Sequence, residues 1–311
     1  MTKAVVFQEP LIRRYSAPRL SIAYIFIILC NTASLILPIF FFNGTHGDFW
    51  IQYGKYREQP EVTFLYKFIM VLESKSMASD RTKDIFVSNI DSLNVLRPET
   101  FRLASIQFHE DDIDRDGKFD SLTLEANVPL DPDEQIQSMQ VLLFFNFRLQ
   151  KRVKLDMESL AYTSVESSLP IGGYDSSGTF MLRQSKPLGV RAYFSTLYAA
   201  ETPLIDTDDL HANNRIMDSN IGNILEKYRS RGVVADYVER YPIKTRGRTN
   251  LSGEAGNFHL KMKMDVPEQE ILYVATLMEV LKDGWIKYLS VVVVCFVLIN
   301  RIKQIVFWCQ L

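Results

Sequence analysis

The residues best suited to chemistry lie in one short stretch, Glu110–Asp120, which reads EDDIDRDGKFD and is called the acidic turn below. Three aspartates alternate along it, a glycine follows, and a fourth aspartate comes three residues later. Ca²⁺ prefers several oxygen ligands, and Gly117 permits the tight bend that brings them together. The pattern therefore predicts a calcium loop. The candidate ligands are the carboxylates of Asp112, Asp114, Asp116 and Asp120 and the backbone carbonyl of Lys118.

The acidic turn departs from an EF-hand. An EF-hand places a bidentate glutamate at the twelfth position, and counting from Asp112 that position is Thr123. The flanking segments, Phe101–Phe108 and Leu122–Val128, alternate between apolar and polar residues and predict strands. Two interpretations stay open: a structural calcium site between two strands, or a solvated turn whose aspartates accept hydrogen bonds from nearby amides.

Other catalytic or metal-binding patterns are missing from the sequence. It contains no HExxH, no GxSxG and no glycine-rich phosphate loop. Its three cysteines, Cys30, Cys295 and Cys309, lie in or beside apolar segments, so the long region between them offers no thiolates for a transition metal. The net charge of −2 gives no basic field for nucleic acid. We expect no enzymatic activity, no transition metal and no cofactor other than a structural calcium.

Two apolar segments predict membrane-spanning helices. Residues 20–42 carry no charge, and as a helix they would extend about 34 Å, against a hydrocarbon core of about 30 Å. The second span, 285–305, has an uncharged core of only 13 residues, Tyr288–Asn300, but Lys287 and Arg301 can direct their charges to the interfaces. A buried helix or a cleaved signal peptide is the alternative for the first segment, and a buried strand for the second.

The charges beside these segments predict that both termini are cytoplasmic. Residues 1–19 contain four basic residues and one acid, residues 301–311 contain two basic residues and no acid, and residues 267–287 contain four acids and two lysines. Positive charge is retained on the cytoplasmic side. The predicted order is a cytoplasmic N-terminus (1–19), a helix (20–42), an extracellular or lumenal domain (43–284), a second helix (285–305) and a cytoplasmic C-terminus (306–311).

Four polar positions bear on this topology. Asn31 and Thr32 lie near the middle of the first span, where polar side chains usually pack against another helix, so we expect an interface with the second span or with a partner. The alternative is a hydrogen bond to the backbone of the same helix. Asn43 and Asn250 begin N-glycosylation sequons on the predicted outer side. Asn43 is close to the end of the first span, which makes Asn250 the better acceptor.

The outer domain is predicted to be mainly β. Short alternating segments separated by Gly, Pro, Asp and Ser fill most of residues 61–266, which indicates an antiparallel, sandwich-like arrangement. Asp208–Gly232 is the exception, because its apolar residues recur at helical spacing between an Asp start and a Gly stop, which predicts one helix. Ser74–Asp84 and Thr245–Asn257 are expected to be exposed loops.

Five stretches, in this order and over nearly the whole chain, resemble the transmembrane protein 231 family. They are YREQPEVTF (56–64), EDDIDRDGKFDSL (110–122), FNFRL (145–149), SSLPIGGY (167–174) and WIKYLSVVVV continuing to RIKQIVF (285–307). The two-span layout is also similar, whereas Ser74–Pro98 and the loop around Asn250 match poorly.

The resemblance implies a non-enzymatic structural subunit of the Meckel-syndrome module at the ciliary transition zone. That module is a diffusion barrier that controls which membrane proteins enter the cilium, and it contributes to cilium assembly. The implied partners are tectonic-type and other membrane and soluble subunits, together with the lipid bilayer. The residues alone leave two alternatives: a two-span channel subunit, or a calcium-dependent receptor or adhesion subunit.

Overall fold

The computed structural model describes residues 18, 21–44, 50–76, 81–190, 195–196, 204–205, 221–247 and 256–309. These residues belong to two compact units. One unit comprises Met1–Gln52 and Ala275–Leu311 and contains two long helices, and the other is Tyr53–Val274 and contains the strands.

The two long helices are α1, Ile22–Gly44, and α4, Leu277–Trp308. Both are long and apolar enough to cross a membrane. The 32 residues of α4 extend about 48 Å, so this helix is longer than the predicted span 285–305. It begins earlier because Glu279 accepts a hydrogen bond from the Thr276 amide at 3.2 Å, which satisfies a backbone donor at the helix start.

The β domain contains twelve strands and two short helices among its described residues. The helices are α2 (Asp91–Leu96) and α3 (Ile221–Arg229). The strands are β1 (Tyr53–Glu58), β2 (Glu61–Ser76), β3 (Thr82–Ser88), β4 (Ser105–Asp111), β5 (Ser121–Pro129), β6 (Glu134–Leu149), β7 (Leu155–Gln184), β8 (Ser195–Thr196), β9 (Val233–Glu239), β10 (Ile243–Arg246), β11 (Asn257–Asp265) and β12 (Gln269–Val274).

Ten of the strands form one sheet in the order β3-β2-β6-β7-β11-β5-β4, with β8, β9 and β10 also paired to β7. The pairs of β7 with β8 and β11 are parallel, and the others are antiparallel. Strands β1 and β12 form a separate antiparallel pair. The sheet curls: β2 and β4 lie near opposite ends of the strand order, yet Phe64 on β2 stacks on Phe108 of β4 with ring centroids 4.4 Å apart. The expected mainly β domain between two apolar helices is confirmed.

The core explains why some strands alternate and others do not. On β5, the predicted inward face is buried: Leu122, Leu124, Ala126 and Val128 are each at most 1% exposed. On β6, successive residues are buried on opposite faces, since Val141, Leu143 and Phe145 join the main cluster while Leu142 and Phe144 join a second one beside α3. A strand covered on both faces needs a continuous apolar run, as the sequence MQVLLFF provides.

The helix expected over Asp208–Gly232 is described only from residue 221 onward, where α3 covers Ile221–Arg229, and residues 206–220 lie outside the described part of the chain. Two loop predictions are corrected. The loop expected at Ser74–Asp84 is shorter, because β2 continues to Ser76 and β3 begins at Thr82, and the Ser74 hydroxyl donates to the Lys83 carbonyl at 2.9 Å. Similarly, β10 enters the expected loop Thr245–Asn257 and ends at Arg246.

Candidate functional site: the acidic turn and the helix pair

The acidic turn joins the paired ends of β4 and β5. Asp111 and Ser121 are the last partners in the register of these strands, and the Asp120 amide donates to the Asp111 carbonyl at 2.9 Å. Two turn residues, Arg115 (φ 62°) and Gly117 (φ 86°), adopt the left-handed conformation. Glycine carries no steric penalty there, so Gly117 lets the chain reverse direction within the short connection.

Three of the four predicted carboxylates converge. Asp112, Asp114 and Asp116 each place a carboxylate oxygen within 4.8 Å of the other two. Oxygens bound to one Ca²⁺ at about 2.3–2.6 Å lie up to about 5 Å apart, so this spacing fits a shared hard cation. Asp114 and Asp116 are exposed and Asp112 is half-buried, which leaves the cluster open to solvent ions.

The same carboxylates hold the turn in shape through hydrogen bonds from its own amides. Asp112 accepts from the amides of Arg115 at 2.7 Å and Gly117 at 3.1 Å. Asp114 accepts from the Asp116 amide at 3.1 Å, and Asp116 accepts from the Lys118 amide at 2.8 Å. Each oxygen keeps a further lone pair, so these bonds are compatible with both the solvated-turn and the calcium interpretations.

Asp120 acts differently from the other three aspartates. One oxygen accepts from the amides of Ile113 at 2.8 Å and Asp114 at 3.4 Å, and the other accepts from the Gln59 side chain at 2.8 Å. The Ile113 amide and then Gln59 hold the pKa of Asp120 below its usual value. Lys118 also points to this side, because its ammonium donates to the Gln59 carbonyl. Asp120 therefore braces the turn against the chain after β1.

Gln59 and its neighbour Glu58 are important residues that the sequence reasoning did not single out. The Gln59 side chain also donates to the Val266 carbonyl at 3.2 Å, which ties the acidic turn to the end of β11. Glu58 is fully buried and accepts from the amides of Gln150 and Lys151, both at 2.8 Å. The only sequence signal was that both residues belong to the YREQPEVTF stretch.

The two long helices pair in antiparallel fashion. Near the start of α1 and the end of α4, Phe26 and Phe307 make an edge-to-face contact with centroids 6.3 Å apart. Farther along, the Tyr288 hydroxyl donates to the Leu35 carbonyl at 2.9 Å. Cys30 and Cys295 are buried and unpaired; as small residues they favour a close approach of helices in a membrane.

The intramembrane polar residues behave differently from each other. The Asn31 side-chain oxygen accepts a hydrogen bond from the ammonium of Lys303, so Asn31 contacts the second helix. The Thr32 hydroxyl is 3.1 Å from the Ile28 carbonyl and 3.0 Å from the Leu29 carbonyl, and it bonds within its own helix. Sequence reasoning did not single out Lys303, which entered only as one of the two basic residues counted in 301–311.

The glycosylation candidates have little structural description. Asn43 lies in the last turn of α1, and nothing is described for its side chain. Asn250 lies outside the described residues.

A cleft of about 320 Å³ lies between α3 and β9, away from the acidic turn. Asp236 on its wall is 3.4 Å from the guanidinium of Arg183. Burial raises the pKa of Asp236, and the charges of Arg183 and Arg229 oppose that rise. Among the described residues that line the cleft, Asp236 is the only carboxylate.

Comparison with known proteins agrees with the resemblance seen in the sequence. A family model described as Transmembrane protein 231 matches residues 1–311. The chain is 28% identical over 302 residues to Transmembrane protein 231 of Xenopus tropicalis, covering 97% of this chain and 92% of that protein. It is 27% identical to the Gallus gallus protein of that name, and the match covers 99% of this chain and 92% of that protein. It is 26% identical to the Homo sapiens protein of that name, and the match covers 97% of this chain and 91% of that protein. Since the match extends over both helices and the β domain, this membrane protein belongs to the transmembrane protein 231 family.

Proposed function

We propose that the protein is a non-enzymatic structural subunit of the ciliary transition-zone membrane complex. In this role it contributes to the diffusion barrier that sets the membrane protein composition of the cilium, and to cilium assembly. The observation that carries the proposal is the family match over residues 1–311, which includes every element of the two-helix and β-domain layout. Its partners are membrane and soluble subunits of the Meckel-syndrome module, including tectonic-type proteins.

The proposed topology places both termini in the cytoplasm and the β domain outside or in the lumen. The excess of Lys and Arg in residues 1–19 and 301–311 supports this orientation. The antiparallel pairing of α1 and α4 is consistent with it, because that pairing brings the start of α1 and the end of α4 to the same side of the helix pair.

The fold suits a subunit that presents a fixed surface. The ten-stranded sheet has apolar clusters on both of its faces, and the acidic turn is held by hydrogen bonds to Gln59 and to its own amides. Such an arrangement favours a persistent docking surface over a loop that changes shape between states. We therefore assign the β domain to contacts with neighbouring subunits.

Proximity labelling in ciliated cells tests the location and the partners. A biotin ligase is fused to the N-terminus, and the labelled proteins are compared with those from the same ligase on a general plasma-membrane protein. We expect transition-zone subunits to be enriched by the first fusion alone. Labelling restricted to the endoplasmic reticulum or the general plasma membrane would contradict the proposal.

The acidic turn is proposed to hold a structural Ca²⁺ through Asp112, Asp114 and Asp116. Millimolar calcium outside the cell would fill even a weak site of this kind. Calorimetric titration of the full-length protein in detergent should show binding that Asp114→Ala and Asp116→Ala weaken strongly and the exposed control Asp133→Ala leaves unchanged. Absence of both heat and a thermal shift at millimolar calcium would leave the turn as a solvated connection.

A further inference from the structure

The side chain of Lys303 points in an unexpected direction. A helical side chain leans toward the N-terminus of its own helix, and α4 ends on the side where α1 begins. Lys303 therefore leans away from that side and into the bilayer, where its ammonium donates to Asn31. A lysine near a helix end usually does the opposite and directs its charge to the water.

The depth of this contact follows from helix geometry. Asn31 comes nine residues after Ile22, the first residue of α1, so it lies about 13 Å along the helix axis. With a hydrocarbon core of about 30 Å, that position is close to the middle of the membrane. Lipid phosphates lie outside the hydrocarbon and are therefore far from the Lys303 ammonium when it contacts Asn31.

The charge of Lys303 has no acidic side chain to balance it within the membrane-spanning segments of the helix pair. The sequence has no Asp or Glu from Leu20 to Gly44 or from Gly284 to Leu311. Asn31 offers only a neutral oxygen, and an ammonium has three donors. Lys287, on the same helix, shows the contrast, because its ammonium lies 2.5 Å from the Asp283 carboxylate one turn earlier. A charge inside a membrane usually pairs with another group there.

The polar residues at this contact are also accessible from outside the helix pair. Asn31 and Thr32 are exposed, and Lys303 is only partly buried, so a neighbouring helix could reach all three positions. We propose that Asn31 and Lys303 form a docking site for a membrane-spanning helix of a partner protein that carries a carboxylate at the same depth. The carboxylate would accept from the Lys303 donors that Asn31 leaves free, away from water, where an ion pair is strongly favoured.

This inference deepens the proposed assembly role by stating the chemistry of one partner, but its test does not depend on ciliary location. The full-length protein is reconstituted in phosphatidylcholine vesicles and labelled at Cys309, which is exposed, whereas Cys30 and Cys295 are buried. The probe is a synthetic leucine–alanine helix of about 22 residues that carries an acceptor dye and one Glu about 13 Å from its end. Energy transfer measures its association with the protein.

The Glu probe should associate about fivefold more tightly than an all-apolar probe or one with Glu near its end, as expected for one interhelical polar contact in a membrane. Lys303→Gln keeps the length and polarity of the side chain but removes its charge, and it should abolish the preference. Asn31→Leu should reduce it. Arg301→Leu is the matched control, because Arg301 is an exposed neighbouring cation whose guanidinium contacts Gln304 of its own helix at 3.3 Å, and it should leave the preference intact.

Three results would overturn the proposal. One is equal association of the Glu and apolar probes, and another is a preference that survives in Lys303→Gln. The third combines two observations: the preference for the Glu probe disappears when phosphatidylserine is added, and Arg301→Leu lowers that preference as much as Lys303→Gln does. Together they would mean that both cations bind lipid headgroups. Mislocalisation of the protein in cells would contradict the ciliary role without affecting any of these measurements.

Discussion

Replacing Glu58 with alanine is expected to destabilise the β domain by about 4.5 kcal/mol. The Glu58 carboxylate is fully buried and accepts three hydrogen bonds: from the amides of Gln150 and Lys151, each at 2.8 Å, and from the Tyr56 hydroxyl at 3.0 Å. Hydrogen bonds to a charged group contribute about 1.5–3 kcal/mol each, and the lower end of that range for three bonds gives about 4.5 kcal/mol.

The structure also predicts how a conservative replacement behaves. In Glu58→Gln, the amide oxygen takes the place of the carboxylate oxygen that accepts from Gln150 and Lys151, so both backbone bonds remain. The side-chain amide then faces the Tyr56 hydroxyl, which loses its acceptor but keeps its bond from the Val153 amide at 3.1 Å. The expected cost is that of one hydrogen bond, about 1–1.5 kcal/mol.

Thermal unfolding of the full-length protein in detergent, followed by near-ultraviolet circular dichroism, measures these effects. For a domain of this size, 1 kcal/mol corresponds to about 2–4 °C in Tm, so the alanine variant should unfold about 9–18 °C below the Tm of the parent protein. Glu268→Ala is the matched control, because Glu268 is exposed, and it should change stability by less than about 0.5 kcal/mol. The reasoning is refuted if Glu58→Ala stays within 2 °C, roughly 1 kcal/mol, of the parent, or if Glu58→Gln costs as much as alanine.

Three further outcomes are expected. Gly178→Ala should destabilise the domain by about 2 kcal/mol or more, because the new Cβ would lie 2.4 Å from the Val238 carbonyl oxygen. The control Gly189→Ala should be nearly neutral, because its new Cβ would have no atom within 4 Å, and equal Tm values for the two variants would contradict this reasoning. The lowered pKa of Asp120 contributes stability that is present above its unfolded pKa of about 3.9 and is lost as pH falls through the folded pKa. Asp120→Asn should therefore flatten the acid side of a curve of Tm against pH, and an unchanged slope would contradict this prediction. Phe145→Ala should cost about 3–5 kcal/mol in chemical denaturation because the ring is fully buried, and a cost below about 1 kcal/mol would mean that the core collapses around it.

The elements that sequence reasoning predicted are those whose burial follows a regular period. Leu122–Val128 alternates because one face of β5 is buried, and residues 20–42 are uncharged along their whole length, so both patterns are visible in the sequence. The extension of β2 to Ser76 was hidden, because polar residues at the end of a strand resemble a loop when the hydrogen-bonding partner strand is unknown.

The site was predictable in part for a similar reason. The alternation of Asp112, Asp114 and Asp116 is local, and the structure brings their carboxylates together. Asp120 could not be separated from them by spacing alone, since its partner Gln59 is 61 residues away in the chain. The contact between Asn31 and Lys303 joins residues 272 apart, and only the helix pairing shows that the two side chains meet.

The 30-residue strand β7 has a consequence for how the protein is made. Its second half pairs in parallel with β11, which also completes the sheet by pairing with β5. Seventy-two residues lie between the end of β7 at Gln184 and the start of β11 at Asn257, and at ordinary synthesis rates the ribosome needs about 4–14 s to produce them. During that interval the edges of β5 and β7 that will pair with β11 have no partner, and the nascent chain is exposed to misassociation. Since β11 ends at Asp265 and α4 begins at Leu277, the sheet closes only when the second membrane helix is about to be synthesised. Folding of the domain and insertion of that helix are therefore nearly simultaneous events in biogenesis.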